Sequence, residues 1–155
     1  MELSYAAVCF DLFGTLVDDA ARAIAGAREA LEILPGHRVA IVTSAPRRVA
    51  LALIARAGLT APRIVVCADD VRHGKPSPEP YQFAARRLGI DASQALVVED
   101  SASGVNAAHA AGMDVAFVLR GRAPSLCPQA DFYLRSLDAL GLTLRDDAIV
   151  VTFDR

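Results

Sequence analysis

Strand-length apolar runs alternate with longer helical patterns through most of this chain, and that alternation constrains its fold more than any other feature. RVAIVT (38–43), RIVVC (63–67), ALVV (95–98) and VAFVL (115–119) are continuously apolar, the pattern of strands buried on both faces. YAAVCF (5–10) is of the same kind. Between the runs, Ile24, Ala27, Leu31 and Leu34 form one stripe of a predicted helix over 19–34. Pro46 opens a second helix that runs to Ala57 and stops at Gly58. A third is predicted over 78–88, closed by Gly89, and a fourth from about 102 to 111, ended by Gly112. DFYL (131–134) and AIVVTF (148–153) are weaker strand candidates around a short helix near 136–140, and 120–130 reads as a surface loop. Continuous strands joined by helices imply right-handed crossovers and helices on both faces of a sheet. The expected fold class is therefore α/β, a Rossmann-like three-layer sandwich with a central parallel sheet. With no repeat and no linker, residues 1–155 are expected to form one unit.

Composition narrows the function. A 155-residue chain suits one domain that buries about 70% of its unfolded surface. Hydrophobic residues make up 54% and Trp is absent, so Ala, Val, Leu and Ile must build the core. The net charge of −2, with scattered arginines, leaves no expectation of nucleic acid or of an anionic membrane as partner. MELSYAAVCF lacks a basic segment followed by a longer apolar one, and no apolar run approaches the roughly 18 residues of a span. Cys9, Cys67 and Cys127 lack metal-ligand spacing, and Cys9 and Cys67 sit inside apolar runs as small hydrophobes. A reducing cytoplasm is the expected compartment.

In an open parallel sheet, ligands bind beyond the carboxyl ends of the strands. Those ends carry Asp11, Thr43-Ser44 and Glu99-Asp100-Ser101, and the loop after the third run, ADDVRHGKPSP, holds Lys75. Each alone is the ordinary punctuation of a strand-to-helix turn; their joint occurrence points to chemistry. A carboxylate can attack a phosphoryl group, provided that a lysine, hydroxyls, backbone N–H groups and a metal neutralise the phosphate. Magnesium prefers one or two carboxylates with waters and a phosphate oxygen, and Asp11 with Glu99-Asp100 can supply such a cradle. Lys75 brings a positive charge, and Thr43, Ser44 and Ser101 bring hydroxyls. His73 reads as an exposed loop histidine, Asp69-Asp70 as turn caps, and Asp18-Asp19 as acids at a helix start.

DLFGTLVD, IVTSAP, GKPSPEPY and VVEDSASGVNAAHAAGM resemble, in order, the four signature motifs of the haloacid dehalogenase superfamily. The likeness runs from about residue 5 to 119. The wording of the last two motifs is most similar to its sugar-phosphate phosphatase and phosphoglucomutase branch. The resemblance implies Asp11 as nucleophile, Thr43 as phosphate binder and Lys75 as the lysine that steadies both. It also implies Mg²⁺ held by Asp11, Asp100 and Glu99, with the backbone carbonyl of Phe13 as a further ligand. The substrate it implies is a small phosphate ester.

Two departures qualify the likeness. Phosphatases of this family usually carry an aspartate where Phe13 stands, as general acid and then base, a role that contributes roughly 10²- to 10⁴-fold in rate. Three readings follow: a slow phosphatase, an enzyme for substrates with good leaving groups such as acyl or aryl phosphates, or a reaction that needs no acid. Dehalogenases of the superfamily commonly have an aromatic residue here, but Glu99-Asp100 beside Asp11 argues for the metal-dependent chemistry. The second departure is the cap. Only residues 16–42 separate Thr15 from Thr43, too few for the helical cap inserted there in the sugar-phosphatase branch. The expectation is a capless core whose open cleft binds small substrates weakly, or is covered by a homo-oligomer or a partner protein. A non-catalytic pseudo-phosphatase that serves binding is the alternative function, and a haloacid dehalogenase-type hydrolase stands behind it.

Overall fold

The computed structural model describes residues 1–153. In chain order the elements are β1 (Glu2–Tyr5), β2 (Ala7–Phe10), α1 (Ala27–Ile33), β3 (Val39–Val42), α2 (Arg47–Arg56), β4 (Ile64–Val66) and α3 (Glu79–Leu88). They continue with β5 (Ala95–Glu99), α4 (Ala102–Ala110), β6 (Asp114–Val118), β7 (Phe132–Leu134), β8 (Leu140–Arg145) and β9 (Ala148–Phe153). Six strands form a parallel sheet in the order β4-β3-β2-β5-β6-β7. This is the doubly wound order, with its switch point at β2, so the crevice lies between the carboxyl ends of β2, β3 and β5.

Alternate residues of each strand feed two cores. Val8, Phe10, Ile41, Leu96 and Val98 face one side with α1 and α2 residues such as Leu31 and Ile54. Cys9, Val42, Val97 and Phe117 face the other with Tyr81 and Ala84 of α3 and Val105 and Ala108 of α4. The expected α/β sandwich with a central parallel sheet is what forms. No helix among the described residues is long and apolar enough to cross a membrane.

Several elements differ from expectation. The run 5–10 does not make one strand: the chain breaks at Ala6, whose N–H donates to Gln94 O at 2.8 Å. β1 then belongs to a second, antiparallel sheet in the order β1-β9-β8. AIVVTF therefore pairs outside the central sheet, and β8 adds a strand that the apolar pattern did not distinguish. The short helix near 136–140 is a single 3₁₀ turn, Leu137–Ala139. The helix predicted over 19–34 begins only at Ala27, because Gly26 takes φ 91°. Before it, Asp18 does not start a helix but closes a turn, its Oδ1 accepting from Ala20 N and Arg22 N.

Candidate active site

Asp11 follows β2 directly, and its N–H donates to Val98 O at 3.0 Å, so the sheet itself aims its side chain. The next six residues form a tight turn. Leu16 N and Val17 N both donate to Leu12 O (2.9 and 3.1 Å), while Leu12, Leu16 and Val17 anchor it in the core. Gly14 at φ 88° lets the chain reverse. A Cβ there would also collide with the Asp100 carboxylate. The turn leaves the Phe13 side chain outside, 54% exposed, at the edge of the crevice. Thr15 is buried, and its Oγ1 donates a long 3.4 Å hydrogen bond to Asp11 Oδ2.

Lys75 arrives from the loop before α3. Glu79, at the first turn of that helix, holds the loop by accepting from Arg72 N (2.9 Å) and His73 N (2.8 Å). The Lys75 ammonium donates to Asp11 Oδ1 (2.9 Å), Val42 O (2.9 Å) and Glu99 Oε1 (2.6 Å), one acceptor for each proton. Thr43 ends β3, its Oγ1 accepting from Ala45 N at 3.1 Å, which leaves its own proton to donate. Ser44 is exposed beside it. Glu99 ends β5 and Asp100 follows it, and Ser101 caps α4 by accepting from Gly104 N at 3.1 Å. Asp11, Phe13, Thr43, Ser44, Lys75, Asp100, Ser101 and Ser103 line a cleft of about 300 Å³.

Glu99 is wholly buried and fully engaged. Oε1 accepts from Lys75 and from the Tyr81 hydroxyl (2.7 Å), and Oε2 accepts from Ser101 Oγ and Asp100 N (both 3.2 Å). A Cβ on Gly104 would occupy the space of this carboxylate. Glu99 can ligate an ion only by exchanging one of these partners.

Three carboxylates thus crowd together. Oxygen atoms of Asp11, Glu99 and Asp100 lie within 4.8 Å of one another. Burial pushes the Asp11 carboxyl up to about 6; the Lys75 ammonium pulls it down and Asp100 pushes it further up. Burial also raises Glu99 and Asp100. Burial opposes the charge on Lys75, but Asp11 and Glu99 outweigh it and hold the ammonium protonated. An all-oxygen donor set with surplus negative charge, cradled where Gly14 and Gly104 leave room, fits a hard divalent cation.

All the expected site residues converge on atoms of Asp11 or on its crevice, the exposed Phe13 ring only at the crevice edge. His73 does not join them; it is exposed and faces Glu79 at 3.3 Å. Asp69 and Asp70 cap and brace turns, accepting from Arg47 N and Cys67 N. Sequence reasoning missed Tyr81, Ser103, Arg120 and Arg122. The buried Tyr81 hydroxyl needed a partner, and the arginines follow the end of β6, 3.9 Å from Asp100. A larger groove of about 560 Å³ lies between α1 and β8, but among the described residues its charged lining groups are Glu29 and Asp138, which repel a phosphate.

The model of the haloacid dehalogenase-like hydrolases matches residues 18–112. The chain belongs to that family. A relative named phosphoglycolate phosphatase, plasmid, from Cupriavidus necator is 41% identical over 109 residues, which are 68% of this chain and 47% of that protein. Hexitol phosphatase A of Escherichia coli is 38% identical over 72% of this chain and 52% of its own length. This family member thus spans about half the length of the curated relatives it matches. Among solved structures, a HAD family hydrolase from Deinococcus radiodurans with bound phosphate and sodium superposes at TM-score 0.66 and 33% identity. It covers 75% of this chain and 56% of its own.

Proposed function

We propose that the chain is a Mg²⁺-dependent phosphatase of small phosphate esters that works through an aspartyl-phosphate on Asp11. The observation that carries this reading is the buried ammonium of Lys75 bridging Asp11 and Glu99 beside a crevice edged by Thr43. Its relatives carry the names of phosphatases of phosphorylated carbohydrates and of phosphoglycolate, which supports the substrate class.

In this reading Asp11 Oδ attacks phosphorus, and the leaving group departs toward the open side where Phe13 stands. Lys75 holds Asp11 in line and offsets the negative charge of the phosphate. Thr43, with Ser44 beside it, donates to the phosphate oxygens. Asp11, Asp100 and the Phe13 carbonyl would hold Mg²⁺, with Glu99 exchanging a partner to join them; the ion supplies charge neutralisation at the phosphoryl oxygens. Phe13 has no proton to give, so alkyl esters react slowly and substrates with good leaving groups, acyl or aryl phosphates, react faster. Three free, buried thiols fit a reducing cytoplasm. The open side of the cleft leaves room for a second copy or a partner protein to cover it.

Phosphate release from acetyl phosphate, an aryl phosphate and a sugar phosphate, with and without Mg²⁺, tests the proposal. Release that requires Mg²⁺ and is lost in Asp11→Asn is the expected result. Neither phosphate release nor phosphorylation of Asp11 with any substrate would leave the non-catalytic binding protein as the better reading, and full activity in Asp11→Asn would sink the nucleophile assignment.

A further inference from the structure

Resting on the phosphatase reading, we propose that Asp11 is a phosphoryl acceptor whose aspartyl-phosphate persists. After meeting an acyl phosphate, the phosphorylated chain, rather than free phosphate, is the species that accumulates.

The two half-reactions make different demands on the cleft. In the first, an Asp11 oxygen forms a bond to phosphorus, the bond from phosphorus to the donor oxygen breaks, and a carboxylate leaves with the electron pair. No proton moves, and Lys75 and Thr43 stand beside the transferred group. In the second, a water oxygen bonds to phosphorus, the Asp11–phosphorus linkage breaks, and Asp11 is restored as carboxylate. The water must lose a proton as it attacks, and that proton needs an acceptor within hydrogen-bond reach.

Among the described residues, the side chains around the cleft provide none that is free. Lys75 donates all three of its protons. Ser101 is spent on the α4 cap and on Glu99, and hydroxyls such as Ser44 and Ser103 are not bases near neutral pH. Glu99 is shut behind Lys75 with both oxygens engaged. Asp100 faces Arg120 and Arg122 at 3.9 Å and belongs to the cation cradle. His73 points away, tied to Glu79. The remaining side chain at the mouth is the Phe13 ring, fixed there by the Leu12–Val17 turn. A missing base therefore slows hydrolysis of the adduct by roughly 10²- to 10⁴-fold, while its formation from a donor that needs no acid is spared.

The test incubates the full chain with Mg²⁺ and acetyl phosphate, removes the donor by desalting, and follows intact mass with time. The expected result is nearly one phosphoryl group per chain, absent in Asp11→Asn, decaying about 10²-fold faster or more in Phe13→Asp. Residue 13 is exposed, so the substitution threatens no core, and the wild-type lifetime stands as a measurement by itself. Continuous phosphate release without a trapped adduct overturns the persistence and leaves the phosphatase reading intact. Neither adduct nor phosphate from acetyl phosphate or an aryl phosphate overturns both. An equal lifetime in Phe13→Asp overturns the assignment of persistence to this position.

Discussion

At Lys75 three acceptors surround one ammonium, and one of them, Glu99, has a side chain with no exposure at all, against 4% for the lysine. Two charges buried in this way are each other's solvent. Lys75→Met leaves Glu99 with only neutral donors, and breaking a buried pair costs about 3–5 kcal/mol. Removing the second charge with Glu99→Gln then recovers most of that loss. Urea unfolding of the two single variants and the double variant measures the coupling. If the single effects add to within about 0.5 kcal/mol, the pair is not coupled in the way its geometry requires. Phe13 sits at the opposite extreme, an exposed ring whose replacement affects chemistry rather than folding. Phe13→Asp is expected to raise kcat/KM on a sugar phosphate by about 10²-fold or more, read by phosphate release; no gain would mean that more than the proton donor is missing.

Among the elements, the join between α1 and the 3₁₀ turn at Leu137–Ala139 is the most demanding. Gly26 has φ 91°, and a Cβ there would meet the Asp138 backbone at 2.8 Å. Gly26→Ala combines left-handed strain of about 1–2 kcal/mol with a backbone clash, so a loss of about 2 kcal/mol or more is expected in urea unfolding; an unchanged midpoint would show that this junction yields. The same glycine explains one limit of the sequence. Ala27, Leu31 and Leu34 were rightly placed on a buried stripe, but Ile24 extended the period into a segment held by an Asp18 turn and by Ile24 N donating to Leu16 O. β8 escaped for a different reason: its hairpin turns on Asp146 and Asp147, both at positive φ, where an Asn-Gly pair is the usual signal. Strand ends were legible because their polar residues break continuous apolar runs. Tyr81 and the arginines after β6 were not, since their importance lies in contacts between distant segments.

β2 also predicts a chemical behaviour. Burial pushes the Cys9 thiol up to about 12 from an ordinary 9.0, partly offset by Lys75, and burial raises Cys67 and Cys127 as well. Raised thiols stay neutral in the native state while the unfolded chain ionises them. Their contribution to stability is thus complete below about pH 9 and is lost as pH rises toward 12. The native protein at pH 8 should leave all three thiols unreacted with a disulfide reagent, and denaturant should expose all three; rapid modification of the native protein would contradict this packing.

For the molecule as a whole, the decisive property is what stands over the crevice. Between Asp11 and Thr43 the chain holds, besides β3, the short helix α1, a 3₁₀ turn at Gly36–Arg38 and the turns at Leu12–Val17 and after Asp18, and Leu12, Leu16, Ala27, Leu31 and Leu34 of this segment pack into the core on the side away from α3 and α4. Nothing in that segment reaches across the cleft, whose lining residues come only from the strand ends and the loops that follow them. An enzyme accelerates turnover by drawing on remote parts of the substrate, holding them in contacts that strengthen in the transition state. An open cleft of about 300 Å³ that grips little beyond the phosphoryl group lacks those contacts. Selectivity should therefore follow the leaving group and not the size or shape of the organic part. Across phosphate esters with leaving groups of matched acidity, small and large, kcat/KM is expected to vary by less than about tenfold, the worth of one or two hydrophobic contacts. Across esters of similar size, it should fall steeply as the leaving group becomes more basic, because no proton donor softens the dependence. A steady-state panel arranged along those two axes measures both slopes. A strong preference for one sugar over its matched neighbours would mean that a second copy or another protein closes the cleft in solution. The same panel repeated over a range of protein concentrations tells these apart: a self-made lid strengthens the preference as the chain is concentrated, and a lid from another protein does not.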